Sequence, residues 1–247
     1  MSTANGSVIV GCCGFGMARS RYYETFRAVE IQQTFYQPPL LATMQHWRAE
    51  APEGFEFTIK AWQLITHEPF SPTYRRLKER LDDRQKQQAG AFRWTAVTQR
   101  AWDATWKAAQ ALRARKVIFQ CPASFRHTEE NKDRLRVFFS RIPRHGITCI
   151  WEPRGTWEDG EIRSLCDELD LVHCVDPLKA QALTAGLHYY RLHGPEKGYK
   201  GSYSDQHVEQ FAELARSNRP AYFMFNNVRM IQDAARFQQV VQRSLAL

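Results

Sequence analysis

Four side chains carry the chemistry that is easiest to read in this chain: Glu30, Lys60, Glu152 and His193. Each stands in or just after a short apolar run, where an ionisable group is costly unless it is paired or serves a ligand. Glu30 interrupts Val29-Glu30-Ile31, so it faces either a cation inside the fold or a ligand. Lys60 closes the run Phe55–Lys60 and is the natural cation for Glu30, with base and phosphate clamp as its other roles. Glu152 either pairs with Arg154 or acts as a general base, leaving Arg154 as a fork for phosphate or carboxylate. His193 lies two residues from Arg191, on the same side of an extended chain. An anion-binding fork beside a titratable imidazole suits phosphoester or acid substrates.

Around these four stands a second set suited to binding: Tyr36, His67, Gln120, Arg154, Trp157, Asp176, Arg191, Tyr203, Asn226 and Asn227. His67 reads equally as a catalyst or as a structural hydrogen-bonder, whereas His173 sits mid-strand and reads as core. Trp151, Trp157, Tyr36, Trp62 and Tyr203 either line a pocket for a base or sugar ring or are ordinary packing. No motif identifies a cofactor. A divalent metal held by Glu30, Glu152, Asp176 and His193 is an alternative, without a local ligand motif behind it. The six cysteines show no C-x-x-C spacing and read as reduced, buried small hydrophobes.

These residues need a scaffold that brings distant positions to one rim. Eight short β-branched or aromatic runs supply it: 8–10, 28–31, 55–60, 116–120, 147–151, 171–175, 188–192 and 221–225. Amphipathic helical patterns alternate with them at 41–50, 98–115, 131–140, 161–169, 205–216 and 233–245. Such alternation implies parallel strands and an α/β fold, a (β/α)8 TIM-type barrel in one domain spanning 1–247. Gly11-Cys12-Cys13-Gly14-Phe15-Gly16 has the wrong spacing for a dinucleotide fingerprint. The connection after the third strand is long. It reads as a helical insertion over about 68–97, with helical patterns at Pro72–Gln88 and Thr98–Arg115. Within it, 75–86 is rich in both signs of charge: a solvated helix face first, an anion-binding surface second. Seven of the eight strands end in a charged or hydrogen-bonding residue, at the end where such barrels form their sites. The bland alternative is a polar plug of mutually satisfied groups.

Lysine and arginine exceed aspartate and glutamate by 34 − 26 = 8, which favours an anionic small molecule or nucleic acid as partner. No stretch approaches a membrane span, and the polar leader Met1 to Ser7 has no signal-peptide core, so the expected compartment is the cytoplasm.

The strand ends resemble the domain of unknown function 72 family, also called YecE-like. The resemblance is carried by Val29–Tyr36, Phe55–Lys60 with Ile65-Thr66-His67, Phe119–Phe125, Glu152–Trp157, Tyr190–Gly194, Tyr203-Ser204 and Phe223–Asn227. It implies a barrel with a polar pocket at the C-terminal rim and supplies no reaction. The chain departs from the family at Gly11-Cys12-Cys13-Gly14-Phe15, where members often read Gly-Thr-Ser-Gly-Trp, and at Gly155, where a histidine often stands. The leading expectation is a hydrolase-like enzyme acting on a phosphate-containing substrate, nucleic acid among the candidates. The rivals are a non-catalytic nucleic-acid-binding protein and a metal-dependent sugar or sugar-phosphate isomerase.

Overall fold

A computed structural model describes residues 7–196, 199–217 and 219–245. All of the polar leader except Ser7 lies outside them. Eight parallel strands close into a barrel in sequence order: β1 Val8–Cys12, β2 Ala28–Ile31, β3 Glu56–Lys60, β4 Lys116–Gln120, β5 Thr148–Glu152, β6 Val172–Val175, β7 His188–Leu192 and β8 Ala221–Phe225. Closure comes from β8 lying along β1, with Val8 opposite Ala221 and Cys12 opposite Phe225. β2, β7 and β8 bury every residue. That is the behaviour of parallel strands covered on both faces, and it explains why these runs read as continuous rather than alternating.

The helices are α1 Arg19–Thr25, α2 Gln33–Tyr36, α3 Leu41–Glu50, α4 Gln63–Thr66, α5 Asp83–Gln88, α6 Ala96–Leu112, α7 Glu129–Arg141, α8 Asp159–Leu169, α9 Asp205–Ala215 and α10 Met230–Leu245. The longest, α6, starts where Thr95 and Thr98 form a reciprocal cap, and it ends at Arg113 in the left-handed conformation. Its stripe of Val97, Ala101, Trp102, Thr105, Ala108, Ala109 and Leu112 is buried. Three helices escape the periodicity reading. α2 and α4 are single turns, and α1 has no side-chain cap. α1 is held instead through Tyr22, whose hydroxyl accepts from Cys12 N–H at 2.8 Å and donates to the Ala28 carbonyl at 2.9 Å.

The helix expected over Pro72–Gln88 is two pieces. A 3-10 turn, Pro72–Arg76, ends at Leu77 in an extended conformation, and α5 begins anew from the capping box of Asp82 and Gln85. Neither piece buries a residue. A short helix with no apolar face has no tertiary packing to offset its nucleation cost. The start of α6, two residues before the expected Thr98, follows from the Thr95 cap. Glu152, expected just after the fifth strand, is its last residue.

The chain divides into two compact units. One holds the residues up to Glu30, with Ala51–Glu56 and everything from Cys174; the other holds Ile31–Glu50 and Phe57–His173. The second contains a phenylalanine cluster in which Phe119 and Phe138 lie 6.0 Å apart, Phe119 and Phe139 5.0 Å, and Phe92 and Phe125 5.3 Å. These spacings are those of favourable aromatic pairs. The first packs Phe237 against Phe223 at 4.7 Å and Phe225 at 5.9 Å. Among the described residues no helix is long and apolar enough to cross a membrane.

Candidate functional site

In the unit built on β3, β4 and β5, strand register sets the first positions. Gln120 pairs with Glu152 across β4 and β5, while Lys60 lies opposite Ile118 on β4. The Lys60 ammonium, 4% exposed, donates to Gln120 Oε1 at 2.7 Å and lies 4.0 Å from the centre of the Phe35 ring. Ring and amide replace part of the water it has lost. Arg154 binds Glu152 Oε1 through Nε at 3.2 Å and Nη2 at 2.9 Å. Glu152 is buried and Arg154 about one third exposed.

His67 follows α4, buried, with Phe35 edge-on at 4.9 Å and the Thr66 hydroxyl 2.8 Å from Nδ1. Its pKa is pushed down to about 3, first by burial and then by Lys60 and Arg154, with Glu152 opposing them. The imidazole is therefore neutral at pH 7, in a field that two cations dominate.

The His67 segment is clamped from the far side. Gly90, Ala91 and Phe92 are all left-handed, and the Gly90 and Phe92 amides donate to Leu64 and Ile65 carbonyls at 2.7 and 2.8 Å. A Cβ on Gly90 would stand 2.2 Å from the His67 carbonyl oxygen. Gly90→Ala should thus destabilise the fold by at least the roughly 1–3 kcal/mol of the backbone conformation, measured by chemical denaturation. An unchanged midpoint would show that the clamp is dispensable.

The remaining aromatic and loop positions are placed as follows. Trp157 is a packing residue: its indole donates to the Phe125 carbonyl at 2.9 Å and it meets Trp151 at 5.0 Å. Tyr36 is half-buried, its carbonyl accepting from Trp62 and Gln63 and its ring lying under Arg76 at 3.5 Å. His173 is buried, its pKa lowered to about 4 by burial.

The other unit carries a separate, densely bonded network. Glu30, fully buried, receives Arg191 through Nε at 3.1 and 3.2 Å and Nη2 at 2.9 Å, with the Tyr189 hydroxyl donating at 2.9 Å. The Cys13 thiol donates to the same carboxylate at 3.4 Å. Arg191 Nη1 lies 3.4 Å from His193 Nε2, and His193 Nδ1 lies 3.4 Å from Asp176. The fork anticipated beside His193 is thus closed on the protein's own carboxylate. The Tyr203 hydroxyl accepts from the Gly194 amide at 2.6 Å, and its backbone N–H donates to Asp233 at 3.4 Å. Gly194 must be glycine, with φ +94° and the Lys200 carbonyl 2.6 Å from any Cβ. Asn227 bridges Asp233 at 2.7 Å and the Gly201 carbonyl at 3.0 Å, while Asn226 is half-buried with its amide bonded to Leu192.

Tyr189, Cys13 and Asp233 are members that the sequence reading missed. Tyr189 had a signal, since it precedes Arg191 by two residues in an extended strand and shares its face. Asp233 is 1% exposed in the first turn of α10, where a carboxylate suits the helix dipole. Cys13 had none. All six cysteines are free and buried. Burial pushes the Cys12 and Cys121 thiols up to about 12, which leaves them protonated and poor nucleophiles.

The fold is a closed parallel eight-stranded barrel with ionisable groups at its strand ends. The chain belongs to the family described as Protein of unknown function DUF72, which it matches over residues 18–246. A DUF72 family protein from Enterococcus faecalis V583 superposes with a TM-score of 0.73 at 16% identity, over 98% of this chain and 96% of that one. The barrel of D-allulose 3-epimerase from Methylomonas sp. gives 0.58 at 10%, over 96% of each chain. An AP endonuclease, family 2, from Brucella melitensis gives 0.52 at 12%, over 91% and 94%. At these identities the likeness is one of fold. None of the curated proteins matches the sequence.

Each carboxylate considered for a divalent metal has an ion-pair partner within its own unit. Glu30 is taken by Arg191, Glu152 by Arg154, and Asp176 by Lys179 and His193. Among the described residues no three His, Cys, Asp or Glu side chains gather as a metal would require.

Proposed function

We propose that this protein is a hydrolase-like enzyme acting on a phosphate-containing substrate, with nucleic acid as the substrate class. The observation that carries the reading is His67, buried and neutral beside Lys60 and Arg154. Two cations flanking a neutral imidazole form a ready site for a phosphoryl group. The net charge of +8 and the fold shared with an AP endonuclease add support.

In this reading Lys60 and Arg154 carry the charge of the phosphoryl oxygens, and Gln120 and Phe35 hold the Lys60 ammonium in place. Glu152 accepts the proton of the attacking water as its oxygen bonds to phosphorus. The bond to the leaving oxygen breaks, and Lys60 supplies the proton that oxygen takes up. The Glu30–Arg191 pair supports the strand ends of its own unit, with His193 and Asp176 beside it. A sugar-isomerase reading finds less support, because Glu30 and Glu152, two of the carboxylates it would use for metal, are held by guanidinium groups.

Titration calorimetry with inorganic phosphate tests the binding half. Lys60→Met and Arg154→Met should each weaken phosphate by about tenfold or more, the worth of one charge-assisted hydrogen bond. The His67 resonance should titrate at higher pH with phosphate bound. A screen of phosphodiester substrates tests the chemistry, with Glu152→Gln expected to abolish whatever turnover the wild type has. Phosphate affinity unchanged in both cation variants would overturn the reading. Binding without turnover on any substrate would leave a nucleic-acid-binding protein in its place.

A further inference from the structure

The charged segment 75–86 gains a definite meaning from its contacts. Its acids are already engaged: Glu79 by Arg100 at 2.7 Å, Asp83 by Lys86 at 2.8 Å, and Asp82 by the Gln85 amide at 2.7 Å. Arg75, Lys78, Arg80 and Arg84 are exposed and, among the described residues, no carboxylate pairs with any of them. With Glu79 and Asp83 paired to cations and Asp82 the one acid bonded only to a backbone amide, the segment keeps a clear excess of exposed positive charge.

The strip is fastened to the site. Tyr74 donates its hydroxyl to the His67 carbonyl at 2.8 Å, Arg76 stacks over Tyr36 at 3.5 Å, and the Lys78 amide bonds Gln37 at 3.3 Å. The loop leading into it exposes Phe70 at 73%. The exposed Phe70 ring and the exposed cations belong to one continuous stretch of chain, 70–84. Cations that track a backbone and a ring on which a base stacks are the two elements of single-strand recognition.

The geometry points to the 70–84 segment as a docking strip for single-stranded nucleic acid, leading its backbone toward Lys60 and Arg154. This rests on the phosphate-site reading above and deepens it by specifying the single-stranded form and the surface that holds it. A duplex hides its base faces and offers Phe70 nothing to stack on. An acidic peptide would use the charges and ignore the ring.

The test is fluorescence anisotropy of the full chain with a short labelled oligothymidylate over a range of salt. Wild type should bind with affinity that falls steeply as salt rises. The combined variant Arg75→Gln, Lys78→Gln, Arg80→Gln and Arg84→Gln should bind about tenfold or more weakly. Its salt slope should be shallower by about 3, at about 0.7 for each charge removed. Phe70→Ser should weaken the oligonucleotide about tenfold while leaving the salt slope unchanged. Every substituted side chain is exposed, and a thermal melt of each variant checks that the fold is intact. Phosphate affinity measured alongside separates the two ideas. Wild type that binds phosphate but no oligonucleotide, or a combined variant that binds oligonucleotide as wild type does, overturns the strip and leaves the phosphate site standing. Binding to phosphatidylserine vesicles, lost in the combined variant and without oligonucleotide binding, would make the strip a lipid surface and overturn the proposal.

Discussion

Replacing Arg191 with methionine should cost about 3–5 kcal/mol of folding stability, a fall in melting temperature of roughly 6–20 °C for a chain of this size. The reason is the partner left behind. Glu30 is fully buried, and Arg191 supplies three of the contacts that hold its charge. The Tyr189 hydroxyl is a neutral donor and the Cys13 thiol a weak one, and neither replaces the cation that balances a buried carboxylate. The loss measures a stranded charge, and the double variant shows this. Arg191→Met with Glu30→Gln removes both charges and should recover most of the stability, because a buried ion pair is worth little over a neutral replacement. Denaturant unfolding of the four proteins completes the cycle. Additive losses would mean that the two residues act independently and that the network is not the unit described.

The same pair shows where the sequence stops being informative. All eight strands were legible, because a parallel strand covered on both faces is an unbroken apolar run whatever its neighbours. The identities of the rim residues were legible too, since a charge at the end of such a run needs a reason. Partners were legible only when local. Glu152 and Arg154, two residues apart, pair as their spacing allows. Arg191 and His193 share a face for the same reason, yet the carboxylate that takes the guanidinium comes from β2, far away in sequence. Periodicity gives the face of a strand and says nothing of which distant residue meets it. The segment 72–88 fails for a different cause. Its helix-forming composition lacks an apolar stripe, so nothing holds the middle of the expected helix and Leu77 goes extended. Arg75, Lys78, Arg80 and Arg84 lie exposed in and around that break, so the misread element and the proposed docking strip are one stretch of chain.

Acid should destabilise this protein well before its carboxylates titrate. His67 and His173 have pKa values lowered to about 3 and about 4, chiefly by burial, against an ordinary value of 6.5. A depressed histidine pKa means that the unfolded chain binds a proton which the folded chain refuses. The stability these two contribute is complete above pH 6.5 and is lost as pH falls toward the folded values. Between pH 7 and 5 the loss should reach about 4 kcal/mol, about 2 for each histidine. His188, also lowered by burial, adds in the same direction. Urea unfolding at the two pH values measures the drop directly. His67→Gln and His173→Gln should each remove about half of it, whatever they do to stability at pH 7. A wild-type slope retained in both variants would contradict the assignment. Saturating phosphate gives the functional version of the test. An anion beside Lys60 and Arg154 offsets the part of the lowering that these cations add to burial, so bound phosphate should shrink the His67 half of the acid loss and leave the His173 half as it was. A protein in which phosphate protects neither half, or both equally, would have its anion somewhere other than beside His67.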